Sequence, residues 1–179
     1  MDPIKTQRLI LRRWNPSDRE PFYKMNSDPV VMEYMPKMLT REESDGWVAG
    51  IEEHFEKHGF GLFAVEEKES GTFIGYTGLS IPRFESHFTP CVEIGWRLDK
   101  AFWGKGYATE AALAVLAMAF GPLGLREVVS FTSPLNQRSV AVMKRLKMTR
   151  NALDDFNHPS LPEGHPLRRH LLYRVSRTE

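Results

Sequence analysis

The sequence predicts an α+β fold, in which helices cover both faces of a mostly antiparallel sheet that contains one parallel strand pair. Two observations support this prediction. The runs Phe60–Glu66 and Thr72–Ser80 are rich in β-branched and aromatic residues, and the five-residue link between them ends in Gly71, which is typical of an antiparallel hairpin. From residue 91 to 146, strand and helix patterns alternate, which predicts a βαβ unit with parallel strands and a right-handed crossover.

The N-terminal third is predicted to be rich in helix. Leu9–Leu11 reads as a short first strand. Asp28, followed by Pro29, is typical of a helix start, because the carboxylate can cap free N–H groups and proline tolerates the first helical position. Thr40 and Glu43 match a capping box, which predicts a helix from about Arg41 to His58.

The remaining elements complete the sheet. Cys91–Leu98 and Glu127–Thr132 are predicted strands, and an Ala-rich helix is predicted between them at about Tyr107–Phe120. A helix should follow at Asn136–Leu146, and the alternating stretch from 171 to 176 should close the sheet.

Composition excludes several classes of protein. The 179 residues, of which 41% are hydrophobic, suit a single globular domain over residues 1–179, and 24 basic residues against 23 acidic ones give no bulk charge to attract nucleic acid. The longest uncharged helical run, 111–120, is far shorter than the roughly 20 apolar residues that a membrane span needs. A single cysteine, Cys91, and an N-terminus without an apolar signal region predict a cytoplasmic protein without disulfides.

A glycine-containing turn, residues 103–109, lies between a predicted strand and a predicted helix. Backbone N–H groups at a helix start attract anions, and Gly104 and Gly106 would let a phosphate approach closely. The alternative is that the glycines only permit a tight turn. The spacing excludes a Walker loop, and Thr109 stands where a dinucleotide-binding fingerprint needs its third glycine.

Longer motifs surround this turn. They are VEIGWRLDKAFWGKGYATEA at 92–111, SPLNQRSVAVMKRLKM at 133–148, TQRLILRRW near the start and GTFIGYTGL in the hairpin. Together they resemble the GNAT N-acetyltransferases, in the branch of the RimJ and RimL type that acetylates ribosomal proteins. The resemblance is collinear over nearly the whole chain. It implies an enzyme that transfers the acetyl group of acetyl-CoA to a primary amine, with the two parallel strands splayed apart.

The resemblance also assigns the acetyl-CoA site. The diphosphate of CoA would bind the backbone amides of the turn, and the pantetheine arm would pair with the first parallel strand. An N–H near 94–96 would stabilise the oxyanion, and no metal is required. The residues so implied are Trp96, Arg97, Leu98, Gly104, Lys105, Gly106, Tyr107, Ala108 and Thr109, together with Asn136, which would hydrogen-bond the pantetheine amide.

Glu93 is the general base that the resemblance implies. Burial among Trp96, Phe102 and Trp103 would raise its pKa and suit it to that role. The alternative is an exposed carboxylate on a solvent-facing strand position.

The general acid is less plainly marked. Many family members carry a tyrosine on the last helix, but Met143 stands at that position here, so the resemblance points instead to Ser139, one turn earlier. Equally, Ser139 only completes the first helical turn while Asn136 caps it. A second departure is Lys147, which replaces a glycine after this helix and would have to adopt a left-handed conformation.

The acceptor is expected to bind to the helical N-terminal third and to the loops 83–90 and 157–166, as a protein N-terminus or a small-molecule amine. Met32, Tyr34, Met35 and Met38 either form its apolar wall or simply pack in the core. Direct attack in a ternary complex is expected, because nothing near Cys91 in the sequence would activate it as a nucleophile. The alternatives are a catalytically silent acyl-CoA-binding module and an ATP-dependent enzyme, and a homodimer stays open.

Overall fold

A computed structural model of the protein describes residues 2–177. The strands are β1 (Ile4–Lys5), β2 (Leu9–Arg12), β3 (Leu62–Glu67), β4 (Thr72–Ser80), β5 (Glu93–Leu98), β6 (Glu127–Thr132), β7 (Thr149–Arg150), β8 (Phe156–Asn157) and β9 (Arg169–Ser176). The α-helices are α1 (Arg19–Asn26), α2 (Arg41–His58), α3 (Tyr107–Phe120) and α4 (Gln137–Arg145). The predicted bounds of α2, α3, β4 and β6 are confirmed to the residue.

The strands form one mixed sheet in the order β1-β2-β3-β4-β5-β6-β9-β7, and β8 pairs with β9 outside this path. Strands β5 and β6 are parallel, and every other strand pair within residues 2–177 is antiparallel. The predicted α+β class, its hairpin and its βαβ unit are therefore confirmed.

Helices pack against both faces of the sheet. Tyr76 on β4 lies 4.9 Å from the Trp47 ring of α2 and 6.1 Å from Phe22 of α1, so these helices cover one face. Helix α3 contacts β4 and β5, and with its small buried side chains it covers the other face. No helix in the described part of the chain is long and apolar enough to cross a membrane.

The start of helix α2 follows the predicted chemistry. The Thr40 hydroxyl accepts from the N–H of Glu43, whose carboxylate accepts from the N–H of Thr40, which completes the capping box of α2. At the other end of α2, Gly59 adopts a φ of +73° and ends the helix.

The helix predicted at Asp28 is wrong. Asp28 does accept hydrogen bonds from the N–H groups of Val30 and Val31, but only turns follow it, as far as the proline at position 36. The capping signal was present, but the segment is too short and too rich in β-branched residues to propagate a helix. Residues 28–38 instead form an irregular segment beside the sheet.

The end of α4 uses the strained geometry that the sequence implied. Lys147 has a φ of +58°, and Met148 donates its N–H to the carbonyl of Met143. A 6→1 hydrogen bond of this kind ends many helices, normally with glycine at the left-handed position. Lys147 therefore carries a backbone strain of about 1 kcal/mol or more that glycine would avoid.

Candidate active site

The parallel strands β5 and β6 touch at one end only. Their register contains a single pair, Glu93 opposite Val129, and the Val129 N–H donates to the Val92 carbonyl at 2.9 Å. Strand β6 is instead paired along its whole length with β9. A gap therefore opens between β5 and β6 from Glu93 onward, which exposes backbone groups of β5 that a neighbouring strand would otherwise cover.

A cavity of about 810 Å³ continues from this gap towards α3 and α4. Its walls come from the end of β5, the glycine turn, the first turns of α3 and α4, and the segment 28–38. Every predicted site residue except Glu93 lines this cavity. The lining residues that were predicted are Trp96, Arg97, Leu98, Gly104, Lys105, Gly106, Tyr107, Ala108, Thr109, Asn136 and Ser139.

The glycine turn presents unpaired amides to the cavity. Gly104 and Gly106 have φ angles of +76° and +82°, which L side chains rarely adopt, so both glycines are needed for the backbone path. None of the six N–H groups from 104 to 109 donates to a protein acceptor in the part of the chain that the structure describes. Helix α3 begins at Tyr107, and its dipole adds positive potential at the same place. The turn can therefore bind a diphosphate through its backbone alone.

Side chains hold the turn in place. Arg8 donates to the Lys105 carbonyl at 2.9 Å and forms a 2.6 Å ion pair with Glu110 of α3. The Trp103 indole N–H donates to the Leu98 carbonyl at 2.8 Å, which fixes the turn against the end of β5. No local pattern marks Arg8 as part of the site, because its partners follow about 100 residues later. The Trp103 side chain therefore helps to hold the turn in place.

Arg138 is a second residue that sequence reasoning missed. Its guanidinium lies 4.3 Å from the ring centroid of Trp103 and donates to the Glu33 carboxylate at 2.7 Å. With Arg97, Lys105 and Arg145 it makes four cationic residues among those that line the cavity, which suits a polyanionic ligand. The sequence could have indicated Arg138 as a site residue, because it follows Asn136 by two residues on the first turn of α4.

Glu93 stands at the vertex of the gap and does not line the cavity. Burial raises the pKa of the Glu93 carboxyl to about 8, although the Ser80 hydroxyl, 3.5 Å away, opposes the shift. The neighbours predicted to bury it were wrong. Strand alternation places Trp96 on the opposite face, and Phe102 and Trp103 lie beyond the far end of β5.

Ser139 is positioned by Asn136. The Asn136 side chain accepts from the Ser139 backbone N–H at 3.1 Å, so Asn136 caps α4 as predicted. The Ser139 hydroxyl itself has no hydrogen-bond partner among residues 2–177 and faces the cavity. Met143, at the position where relatives carry tyrosine, is 1% exposed and belongs to the core.

The two loops expected at the acceptor site do meet. Phe84 and Phe88 of one loop pack with Phe156 and His158 at the start of the other, at ring distances of 4.6 to 6.2 Å. The four residues predicted to form an apolar wall for the acceptor do not all lie in one place. Tyr34 and Met35 line the large cavity, whereas Met32 is buried and Met38 is exposed.

Other chemistry has less support in the structure. Burial and the nearby Glu93 carboxylate raise the pKa of the Cys91 thiol to about 11, which disfavours a nucleophilic thiolate. Cys91 also lies outside the large cavity. In the described residues, no three His, Cys, Asp or Glu side chains come together as metal ligands.

Comparison with known proteins identifies the class of this fold and site. The sequence model of the acetyltransferase (GNAT) domain family matches residues 8–149, and the chain belongs to this family. The prediction from the motifs is therefore confirmed. The protein is an acetyl-CoA-dependent N-acetyltransferase, and the acceptor of its acetyl group is an amine.

Individual relatives agree. An uncharacterised N-acetyltransferase of Bacillus subtilis, YnaD, is 31% identical over 163 residues, which cover 90% of this chain and 89% of that protein. An acetyltransferase structure from Agrobacterium tumefaciens has a TM-score of 0.79 at 27% identity, over 99% of this chain and 95% of that one. The RimL α-N-protein acetyltransferase, solved with coenzyme A, shares the fold with a TM-score of 0.78 at 18% identity, over 98% of both chains.

Proposed function

We propose that this protein acetylates a primary amine, on a protein N-terminus or a small molecule, by direct attack on acetyl-CoA in a ternary complex. One observation supports this proposal above the others. The cavity lined by free amides reaches β5 at Trp96, three residues from the vertex of the β5–β6 gap, where the raised pKa of Glu93 suits a general base.

The cofactor would bind mainly to backbone. The diphosphate of CoA takes the N–H groups from 104 to 109, and the cations Lys105, Arg138 and Arg145 add attraction. The pantetheine arm enters the gap and pairs with the exposed edge of β5 at 96–98, as an added strand would. Asn136 lies on the other wall, within the same cavity.

The chemistry follows from this placement. Ionised Glu93 accepts a proton from the amine through a water, and the amine nitrogen attacks the thioester carbonyl. A β5 backbone N–H near 94–96 stabilises the oxyanion. When the intermediate collapses, the C–S bond breaks, and the leaving thiolate takes a proton from the Ser139 hydroxyl as that hydroxyl takes one from solvent. Glu93 then releases the amine proton to solvent, so both residues return to their starting states. The products are an acetamide and free CoA.

Direct attack is favoured over an acetyl-cysteine intermediate. Cys91 has a raised pKa and lies outside the cavity, so its thiol is a poor nucleophile. In a ternary complex, double-reciprocal plots at several acceptor concentrations intersect. Parallel lines, together with an acetylated Cys91, would contradict this part of the proposal.

An amine screen with acetyl-CoA tests the function, with release of the CoA thiol as the measured signal. We expect turnover with at least one primary amine, and we expect Glu93→Gln to abolish most of it while CoA still binds. A catalytically silent acyl-CoA-binding module is the competing function, because Met143 replaces the usual proton donor. Tight CoA binding without turnover across the screen would favour that module, and a thermal shift with ATP but not with acetyl-CoA would contradict both.

A further inference from the structure

We propose that the acceptor carries a carboxylate as well as its amine, and that Arg97 binds the carboxylate in a slot on the α1–α2 face of the sheet. This inference rests on the proposed function and specifies its substrate class. It starts from the side chains that β4 and β5 present to that face beside Glu93.

Three register pairs define the slot. Ser80 lies opposite Glu93, Gly78 opposite Gly95, and Tyr76 opposite Arg97. Since side chains alternate along a strand, Glu93, Gly95 and Arg97 share one face.

The centre of this row is empty. A Cβ added at Gly95 would meet no atom within 4 Å, and the Gly95 backbone is in a conformation that other residues tolerate. The slot therefore has a glycine floor, Glu93 at one end and Arg97 at the other. The Cα atoms of the two end residues are roughly 13 Å apart, at about 3.3 Å per strand residue, and both side chains shorten the span.

Arg97 is a half-buried cation without a counter-ion. Its guanidinium donates to the Asn26 side-chain oxygen at 2.7 Å and to the Met35 sulfur at 2.7 Å, and it lies 5.6 Å and 5.4 Å from the rings of Trp47 and Tyr76. In residues 2–177 no carboxylate comes within 4 Å of it. A guanidinium can bind a carboxylate through two parallel hydrogen bonds, so the missing partner fits an anionic ligand.

Tyr76 lies at the Arg97 end of this row. The two residues are opposite each other in the register, and the Arg97 guanidinium lies 5.4 Å from the Tyr76 ring centroid. The aromatic ring therefore helps to hold the guanidinium at that end of the slot.

The two functions of Arg97 do not compete. Its backbone lies on the edge of β5 that faces the gap, where pantetheine would pair. Its side chain points to the α1–α2 face, where it meets Asn26 and Trp47. Substitution of the side chain should therefore change the acceptor preference, and the backbone edge for pantetheine should stay in place.

The test uses matched pairs of acceptors: ω-amino acids with three to six carbons and their carboxamides. For the unmodified protein we expect kcat/KM to favour the best carboxylate by at least tenfold over its amide. Arg97→Met should bring this ratio close to one, through the KM of the carboxylate, and Arg97→Lys should recover part of it. The ratio is determined at saturating acetyl-CoA, and the KM of acetyl-CoA is measured in the same variants, because Arg97 and its contact Met35 also line the large cavity.

Two further variants separate a local effect from a general one. Gly95→Ala fills the slot and should raise the KM of both members of a pair. Arg41→Met is the control, because Arg41 stacks on Tyr23 at 4.4 Å, is exposed and lies outside the cavity. It should leave the ratio unchanged.

Three results would overturn the inference. They are a ratio near one in the unmodified protein, a ratio that Arg97→Met leaves unchanged, and a loss in Arg97→Met that appears only in the KM of acetyl-CoA. Thermal melting of each variant identifies misfolding, and for a misfolded Arg97→Met the Arg97→Lys ratio decides. Failure of the proposed function looks different, because no amine would then release CoA.

Discussion

The two faces of the sheet are built in different ways. On the face that α3 covers, the proposed cofactor site depends on backbone: a glycine turn with free amides, a helix start and an unpaired strand edge. On the face of α1 and α2, the proposed acceptor slot depends on side chains that come from distant parts of the chain, such as Asn26, Tyr76 and Arg97. Backbone sites follow from local sequence, whereas side-chain sites follow from the tertiary fold.

The largest expected effect concerns Glu93, at the vertex of the gap between β5 and β6. Glu93→Gln should lower kcat by about 100- to 1,000-fold, the usual contribution of a general base. The affinity for CoA, measured by calorimetry, should stay within twofold, because Glu93 lies outside the cavity. Unchanged kcat would assign the proton transfer to another group.

The raised pKa of Glu93 gives two pH dependences. Since only the ionised base accepts a proton, kcat in the unmodified protein should rise with pH through about 8, and the Gln variant should lose this rise. Stability should change in the opposite direction. A folded-state pKa above the unfolded value favours folding at low pH, so the unmodified protein should lose stability from about pH 5 to pH 9 relative to Glu93→Gln. Melting curves of both proteins at several pH values test the second expectation, and a constant difference in Tm would contradict it.

Ser139→Ala tests whether the Ser139 hydroxyl, which lines the cavity, is the general acid. If the hydroxyl protonates the thiolate, kcat should fall by about tenfold to a hundredfold. The Tm should hardly change, because the cap of α4 uses the backbone N–H of Ser139 and the side chain of Asn136. A loss of Tm with unchanged kcat would show that the serine is structural. Asn136→Ala provides the comparison, since the loss of that cap should cost about 1 kcal/mol.

Gly106→Ala tests the backbone cradle. Forcing a Cβ into the left-handed conformation costs about 1–2 kcal/mol, and relief of this strain would displace the amides, so CoA affinity should fall about tenfold. Gly59→Ala is the matched control, because Gly59 has a similar φ of +73° but lies at the end of α2. An added Cβ would meet no atom within 4 Å at Gly59 and would make an ordinary 3.5 Å contact with the Arg8 guanidinium at Gly106. Both variants should lose similar Tm, and only Gly106→Ala should lose CoA affinity. Equal affinity in both would contradict a cradle at this turn.

The smallest effect is expected at Lys147. Lys147→Gly should raise stability by about 1 kcal/mol, because glycine adopts the φ of +58° without strain. Lys144→Gly, three residues earlier within α4, should instead lower stability by about 1 kcal/mol. Activity should be unchanged in both. Destabilisation by Lys147→Gly would show that the lysine side chain makes a compensating contact.

The comparison also explains what could be predicted from sequence. Helix α3 and strand β6 were predicted to the residue, because a glycine turn, an Ala-rich run and a β-branched run are local signals. The helix at Asp28 failed although its cap formed, since the segment before the proline at position 36 is short and contains β-branched residues that disfavour propagation. The surroundings of Glu93 were also mispredicted. They depend on strand alternation and on the register of β4 with β5, which no single segment contains.

The crystal structure of this protein with CoA is the most direct test of the central claim, which concerns the cradle and the gap. The account predicts diphosphate oxygens about 3 Å from the amide nitrogens between Gly104 and Thr109, and a pantetheine arm hydrogen-bonded to the β5 backbone beyond Glu93. CoA bound elsewhere, or a diphosphate held by side chains alone with the β5 edge left uncovered, would contradict it.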